Sequence, residues 1–386
     1  MQFIDLAAQQ KRIRDKIETN IQAVLDHGKY IMGPEIKELE KKLAEFVGVE
    51  CAIACSSGTD ALLLALMAYG VGPGDAILTS PFTFIATAEV ISLLGAMPVF
   101  VDIEPKTFNL DPQHLERAIT ALQKSSTDYP LPCIDPSSFM TKGIIAVDLF
   151  GLPADYDAIN ALAKKHGLFV IEDAAQSFGA QYKGRRTCSV ADIACTSFFP
   201  AKPLGCYGDG GMCFTNDVKL AQTMRSLSVH GQGSQKYENV RIGINGRLDT
   251  FQAAILHAKF DVFAEEVELR QRVAKKYTDL LSGLGNGLVT PHVPPELESV
   301  WAQYSILAND ETHRSTLQSE LKEAGIPTAV YYPKPLHLQP AFRRLGYKEG
   351  DFTVSEDCSR RIFSLPMHPY LEAKDQEEIA RVVGQT

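Results

Sequence analysis

Gly143-Ile144-Ile145-Ala146-Val147-Asp148 and Leu168-Phe169-Val170-Ile171-Glu172-Asp173 are two short apolar runs, each closed by a carboxylate, with a helix predicted between them over residues 156–166. Neither run alternates apolar with polar residues. A strand with one wet face alternates, whereas a continuous run marks a strand buried on both faces, as in a mostly parallel sheet covered by helices. The same strand, turn, helix order recurs upstream. Glu50-Cys51-Ala52-Ile53-Ala54-Cys55 is an apolar strand that enters Ser56-Ser57-Gly58-Thr59-Asp60 and then a helix from Ala61 to about Tyr69. Ala76-Ile77-Leu78-Thr79 precedes a helix that begins near Ala86, and Met97-Pro98-Val99-Phe100-Val101-Asp102 is a further strand. Before them, Pro34 suits a first helical position, and Ile36, Leu39, Leu43 and Phe46 share one helical face. The expected class is α/β.

Beyond Leu248 the texture changes. Residues 248–284 read as one long charge-rich helix, followed by a mixed tail with strands such as Ala302-Gln303-Tyr304-Ser305-Ile306-Leu307. A chain of 386 residues exceeds the usual limit of one hydrophobic core. We therefore expect a large domain over residues 1–260 and a smaller one over 261–386. Residues 122–142, rich in Ser, Pro and Asp, read as a surface loop.

The composition is 45% hydrophobic and 22% charged, that of an ordinary globular protein. A net charge of -9 without a Lys/Arg-rich run argues against a polynucleotide partner, which needs a concentrated basic face. One or two placed arginines still suffice for a small anionic substrate. The eight cysteines form no C-x-x-C pair, and several sit among apolar neighbours, so buried reduced thiols are expected rather than disulfides or a zinc site. The N-terminal residues lack a basic region followed by an apolar stretch, and no uncharged apolar run approaches ~18 residues, so neither a signal peptide nor a membrane span is expected. The expected compartment is the cytoplasm.

The chain contains no P-loop, no H-E-x-x-H, no G-x-S-x-G and no G-x-G-x-x-G after a strand, which weakens NTPase, zinc-protease, hydrolase and dehydrogenase readings together. Three other features converge. Asp173 ends a buried strand, where ligands of open α/β sheets bind. Followed by Ala174 and Ala175, its carboxylate has room to lie under a flat ring and keep a pyridine nitrogen protonated. A strand-end Asp that merely caps the next turn is the commoner case. Lys202 lies in Ser197-Phe198-Phe199-Pro200-Ala201-Lys202-Pro203-Leu204-Gly205, an apolar loop in which desolvation lowers an amine's pKa, as a Schiff-base lysine requires. Ser56-Ser57-Gly58-Thr59-Asp60 opens a helix whose free amides make a phosphate seat, though taken alone a plain N-cap is the commoner case. A phosphate seat, a ring-nitrogen carboxylate and an aldehyde-binding lysine are together the three demands of pyridoxal 5'-phosphate (PLP). No metal is called for.

In these segments the chain resembles the DegT/DnrJ group of sugar-nucleotide aminotransferases, PLP enzymes of fold type I. The resemblance covers essentially the whole chain. It is carried by Gly28-Lys29-Tyr30-Ile31-Met32-Gly33-Pro34, Ser57-Gly58-Thr59-Asp60-Ala61-Leu62, Pro81-Phe82-Thr83-Phe84 and Glu172-Asp173-Ala174-Ala175-Gln176-Ser177. Ser197 to Lys202, Gly208-Asp209-Gly210-Gly211, His230-Gly231 and Asn245-Gly246-Arg247-Leu248-Asp249 complete it. Within the group the chain is most similar to enzymes that aminate a UDP-linked 2-acetamido-2-deoxy-3-oxo-glucuronate.

The resemblance implies an aspartate-aminotransferase-like fold, with a mostly parallel seven-stranded sheet in the large domain and a smaller C-terminal α/β domain. It implies that Lys202 bonds the cofactor aldehyde and shuttles protons, and that Asp173 pairs with the ring nitrogen. Phe84 would stack on the ring, Gln176 would sit near its phenolic oxygen, and Gly58, Thr59 and Ser197 would bind the phosphate. Asn245 would reach the phosphate from the neighbouring subunit, making the active unit a homodimer. L-glutamate would be the donor and surface polysaccharide (lipopolysaccharide O-antigen) biosynthesis the setting. Related dehydratases carry His where this chain has Lys202, which favours amination. Arg247 is a candidate clamp for a substrate carboxylate, and Tyr331, Tyr332 and His337 are further substrate-side candidates. Tyr331 stands where the uronate enzymes often have His, and Tyr331 and His337 serve equally well as packing residues. The 122–142 loop is longer than the family pattern. The rivals are an aminotransferase for a TDP-linked 3-keto or 4-keto 6-deoxy sugar, a PLP-binding regulator without turnover, and a PLP-free α/β binding protein.

Overall fold

A computed structural model describes residues 1–124, 126–133, 138–285 and 287–385. The Asp5 carboxylate accepts from the Ala8 N–H and starts α1 (Leu6–His27), which ends at Gly28 in the left-handed region. Then come α2 (Pro34–Val47), β1 (Cys51–Cys55), α3 (Gly58–Ala68), β2 (Asp75–Thr79), α4 (Ala86–Leu93) and β3 (Met97–Phe100). The chain continues through α5 (Pro112–Lys124), β4 (Met140–Val147), α6 (Tyr156–His166), β5 (Phe169–Asp173), the short pair β6 (Gln181–Tyr182) and β7 (Arg185–Arg186), β8 (Ile193–Ser197), β9 (Gly211–Thr215) and α7 (Val218–Leu227). The remainder comprises α8 (Thr250–Leu281), β10 (Leu297–Glu298), β11 (Tyr304–Leu307), α9 (Glu311–Glu323), α10 (Thr353–Arg361), β12 (Ile362–Leu365) and α11 (Ala373–Val383).

Seven strands form the main sheet in the order β1-β9-β8-β5-β4-β2-β3. β9 runs antiparallel to β1 and β8, and the other neighbouring pairs are parallel. The continuous apolar runs have the expected cause. Ile144, Ala146 and Val170 pack into one core, and Ile145 and Ile171 into another on the opposite face. Each fully buried Ile or Val contributes about 1.5–3 kcal/mol over an exposed one, so a strand buried on both faces gains at every residue rather than at every second one.

The long helix arrives as α8, and it runs unbroken through residue 260. Its first half, through Leu256 and Phe263, packs with α2 and the edge of the main sheet. Its second half, from Val273 through Leu281, packs with Tyr304, Ile306, Phe363 and Leu365 of the β11–β12 pair. The change of core thus falls between Phe263 and Val273, inside a continuous helix.

Residues 122–142 depart from the expected surface loop. Helix α5 continues to Lys124 and β4 begins at Met140. Between them Tyr129 is only 3% exposed, and its hydroxyl oxygen accepts from the Asp102 N–H at 3.0 Å. The Cys133 N–H donates to the Leu345 carbonyl at 2.8 Å. Residue 125 and residues 134–137 of that loop lie outside the described residues. A polar, Pro-containing composition hid one aromatic anchor. Tyr129→Phe strands the buried Asp102 N–H and is expected to cost about 1–3 kcal/mol, read as a lower urea midpoint with an unchanged slope; an unmoved midpoint would show the loop to be independent of the core.

Candidate active site

Asp173 closes β5, Ser197 closes β8, and Cys55 closes β1 before the turn into α3. Because β5 and β8 are parallel neighbours, Asp173 and Ser197 share one edge of the sheet, the edge at which such sheets bind ligands.

Asp173 is only 5% exposed. Its Oδ2 accepts from the Thr87 hydroxyl at 2.8 Å, and its Oδ1 from the Ala175 N–H at 3.2 Å. Burial pushes the carboxyl above its usual range; Thr87, Ala175 and the charge of Lys202 pull the other way without cancelling it. Thr87 held no signal in the sequence, since one hydroxyl in the apolar helix α4 looks like any other. Lys202 is half-buried in the Pro/Gly loop after β8, its backbone N–H donating to the Phe199 carbonyl at 2.9 Å. Burial lowers its amine below the ordinary lysine range, and only Asp173 opposes the shift. A nucleophilic amine and a carboxyl that lacks sufficient counter-charge thus face one another electrostatically.

At the helix N-terminus the cap forms, and it leaves the first amides of the helix without an intrahelical acceptor. The Ser57 hydroxyl is the N-cap, accepting from the Asp60 N–H at 3.0 Å, and the Ser56 hydroxyl donates to the Asp60 carboxylate. The amides of Gly58 and Thr59 lie in the first turn, where no carbonyl of the helix can accept from them. Close approach explains the glycine: a Cβ on Gly58 would stand 2.7 Å from the Ser197 Cβ, so only glycine lets Ser197 border the amides.

Gln176 is fixed from both ends. Its Oε1 accepts from the Phe150 N–H at 2.8 Å, and its Nε2 donates to the Tyr332 hydroxyl oxygen at 3.2 Å. Tyr332, from the C-terminal part of the chain, also lies 6.5 Å in ring centroids from Phe84, and burial keeps its phenol un-ionised. Phe84 is 55% exposed, a large ring free to cover a flat ligand. Tyr331 is half-buried against Tyr332 and Phe3.

His337 is 1% exposed, bonds the Glu356 carboxylate at 3.0 Å and packs edge-on to Phe352. Burial lowers its pKa despite Glu356. Its Nε2 is engaged by Glu356 and its Nδ1 is buried without a hydrogen-bond partner, so the packing reading is the one these contacts favour. Asn245 is exposed, next to Gly246, whose carbonyl accepts from the Ser56 N–H at 3.1 Å in the same chain. Half-buried Arg247 has its Nε buried without a hydrogen-bond partner. Among the described residues no group of three or more His, Cys, Asp or Glu is placed to hold a metal ion, and no helix is long and apolar enough to cross a membrane.

These residues fit PLP on their own chemistry. The under-compensated Asp173 calls for a cationic N–H, the desolvated Lys202 for an aldehyde, and the glycine-cleared amides for an anion. On this fold they define a class, the PLP-dependent aminotransferases of fold type I. The chain belongs to the DegT/DnrJ/EryC1/StrS aminotransferase family, whose pattern matches residues 11–384. It is 52% identical over 372 residues, 96% of each chain, to a UDP-2-acetamido-2-deoxy-3-oxo-D-glucuronate aminotransferase of Pseudomonas aeruginosa. It superposes with a TM-score of 0.93 on a DegT DnrJ EryC1 StrS aminotransferase of Brucella abortus, at 48% identity, covering 99% of this chain and 98% of that one. It also superposes with a TM-score of 0.86 on a Bacillus subtilis protein solved with bound cofactor PMP, at 29% identity, covering 100% and 83%. The protein is an enzyme, a sugar aminotransferase that uses PLP.

Gly58→Ala is expected to weaken PLP binding at least ~10-fold, because the added methyl and Ser197 compete for the space beside the phosphate amides. Fluorescence titration of the apo protein measures it, and unchanged affinity would remove the α3 amides from the phosphate site.

Proposed function

We propose that the enzyme transfers the amino group of L-glutamate to a nucleotide-linked keto sugar, UDP-2-acetamido-2-deoxy-3-oxo-glucuronate, for surface polysaccharide such as lipopolysaccharide O-antigen. The reaction class is carried by Lys202 and Asp173, both desolvated and coupled across the strand edge. The sugar rests on the 52% identity to the Pseudomonas aeruginosa enzyme, together with Arg247, whose unpartnered Nε is available to a carboxylate. Tyr331 packs on the rings of Phe3 and Tyr332.

When bound, PLP supplies an aldehyde for the incoming amine and a protonated ring that draws electrons from the carbon losing its proton. Lys202 would hold the aldehyde in the resting enzyme, and its freed Nζ would serve as the acid/base that takes the α-proton of glutamate and, in the other direction, returns a proton when the keto sugar is the substrate. Asp173 keeps the ring nitrogen protonated throughout, with Thr87 fixing one of its oxygens. Gln176, held by Phe150 and Tyr332, would stand near the ring's phenolic oxygen. The Gly58, Thr59 and Ser197 groups anchor the phosphate.

The site is proposed to be shared in a homodimer, with Asn245 reaching the partner's phosphate. Exposed apolar side chains near this segment support it: Tyr237, Val240 and Ile242, the last 89% exposed, together with Tyr30, Ile31 and Met32. Eight unpaired thiols suit a reducing compartment, and we place the reaction in the cytoplasm. The division into domains is proposed to run through α8 between Phe263 and Val273.

L-glutamate is expected to move the visible absorbance of the loaded enzyme from ~420 nm to ~330 nm, and UDP-keto sugar to restore it, whereas Asp173→Asn slows the first half by at least ~100-fold. A band inert to glutamate would overturn the donor, and recovery with TDP- but not UDP-sugars would overturn the nucleotide. Arg247→Met is expected to raise KM for the uronate ~10-fold or more and to leave a sugar lacking the carboxylate unaffected. Equal losses on both sugars would remove Arg247 from the carboxylate. Ile242→Asp is expected to shift light-scattering mass from dimer toward monomer; an unchanged mass would place the interface elsewhere.

A further inference from the structure

Beside Lys202 lies a partly open cavity of about 20 Å³. Lys202, Pro200 and Pro203 form one wall. The others come from three remote stretches: Asp5 and Gln9 at the start of α1, Glu266 and Arg270 of α8, and His368 and Tyr370 before α11. One water needs roughly 10–15 Å³ and two to four polar partners, so the space takes a single water and no carboxylate. Its fixed charges oppose one another, Lys202 and Arg270 against Asp5 and Glu266.

Most of the polar atoms here are engaged. Gln9 Nε2 donates to both Glu266 oxygens at 3.0 and 2.8 Å, the Tyr370 hydroxyl donates to the same carboxylate, and Arg270 Nη1 donates to the Trp301 carbonyl at 3.0 Å. Two buried atoms are without a partner, Gln9 Oε1 and His368 Nδ1, and both belong to residues of this wall. Because its Nε2 side serves Glu266, Gln9 presents an acceptor. Burial favours the neutral His368 ring, and its bond to the Gln2 backbone favours protonation at the bonded nitrogen. That nitrogen is then Nε2, which leaves Nδ1 as an acceptor too. Two orphaned acceptors match the two hydrogens of a water, whose oxygen is left to accept from a donor in the wall.

We propose that one ordered water occupies this cavity, donates to Gln9 Oε1 and His368 Nδ1, and accepts from the Lys202 amine, so that His368 and Gln9 are positioning residues for Lys202. The inference rests on Lys202 being the reactive amine. Each half-reaction displaces that amine from the aldehyde, and the water gives it a second hydrogen-bonded position from which to work. The N-terminal helix and the C-terminal segment thereby act on the catalytic loop without touching substrate.

The test is pH-dependent acetic anhydride labelling of the full-length apo protein, with Lys202 followed by mass spectrometry and exposed Lys41 as internal reference. His368→Leu removes no charge and leaves Asp5, Glu266, Arg270, Tyr370 and Asp173 in place. Losing the water's acceptor destabilises the ammonium, so the Lys202 midpoint is expected to fall by about one pH unit, with His368→Asn restoring most of it. A midpoint that is unchanged or raised would overturn the proposal. A crystal structure of the wild-type protein gives a second measurement should the variant fold poorly. Density for one water touching Gln9 and His368 is expected, and a collapsed or dry cavity would overturn it. Both readouts need neither cofactor nor sugar, so their failure is separable from failure of the proposed reaction.

Discussion

Asp173 and Lys202 have both been taken out of water, and burial drives each toward its neutral form, the carboxyl upward and the amine downward. A buried charge is tolerable only when it is paired and hydrogen-bonded. Here the carboxyl has two donors and an amine that is itself reluctant to charge, so the pair is left short of one cation. A pyridinium N–H would supply it. Burial, against the opposing charge of Asp173, shifts Lys202 toward its neutral, nucleophilic form. The remainder of the structure holds this imbalance in place.

The sheet does so by direction. Because β4, β5 and β8 run parallel, their carboxyl ends deliver Asp148, Asp173 and Ser197 to one edge, and the loop after β8 brings Lys202 back over it. The antiparallel β9 returns the chain past the helix N-terminus, where a Cβ on Gly211 would stand 2.3 Å from the Ser57 carbonyl oxygen. Glycines at 58 and 211 let the phosphate turn and the strand ends approach more closely than side chains permit. Beneath them Asp148 is buried and fully engaged, accepting from Ser177, Tyr156 and the Ala154 N–H, and this fixes the turn from which Phe150 orients Gln176.

Much of this was legible in the residues, for a physical reason. Strands β1 to β5 announce themselves because two-faced burial demands unbroken apolar runs, and Asp173 and Lys202 stand out because charge is costly in such surroundings. Other parts carry no comparable signal. Helix α1 has a sparse stripe, with only Ile13, Ile17 and Val24 buried, too few apolar positions to mark its 22 residues as a helix. The direction of β9 is invisible, since a buried strand is apolar whichever way it runs. Thr87 is one hydroxyl in an apolar helix, and Tyr129 one aromatic residue in a polar loop. The partner of His337, Glu356, lies 19 positions on, a separation at which spacing carries no signal.

The most direct measurement of the central claim is borohydride reduction of the PLP-loaded protein, followed by peptide mapping. A half-buried amine with a lowered pKa beside Asp173 should trap the cofactor on one lysine, so the account expects the phosphopyridoxyl mass on Lys202 and nowhere else. Lys259 is the natural rival, a buried amine over the Tyr207 ring whose pKa is lowered to about 8. The mass on Lys259, or spread over several lysines, would contradict the account.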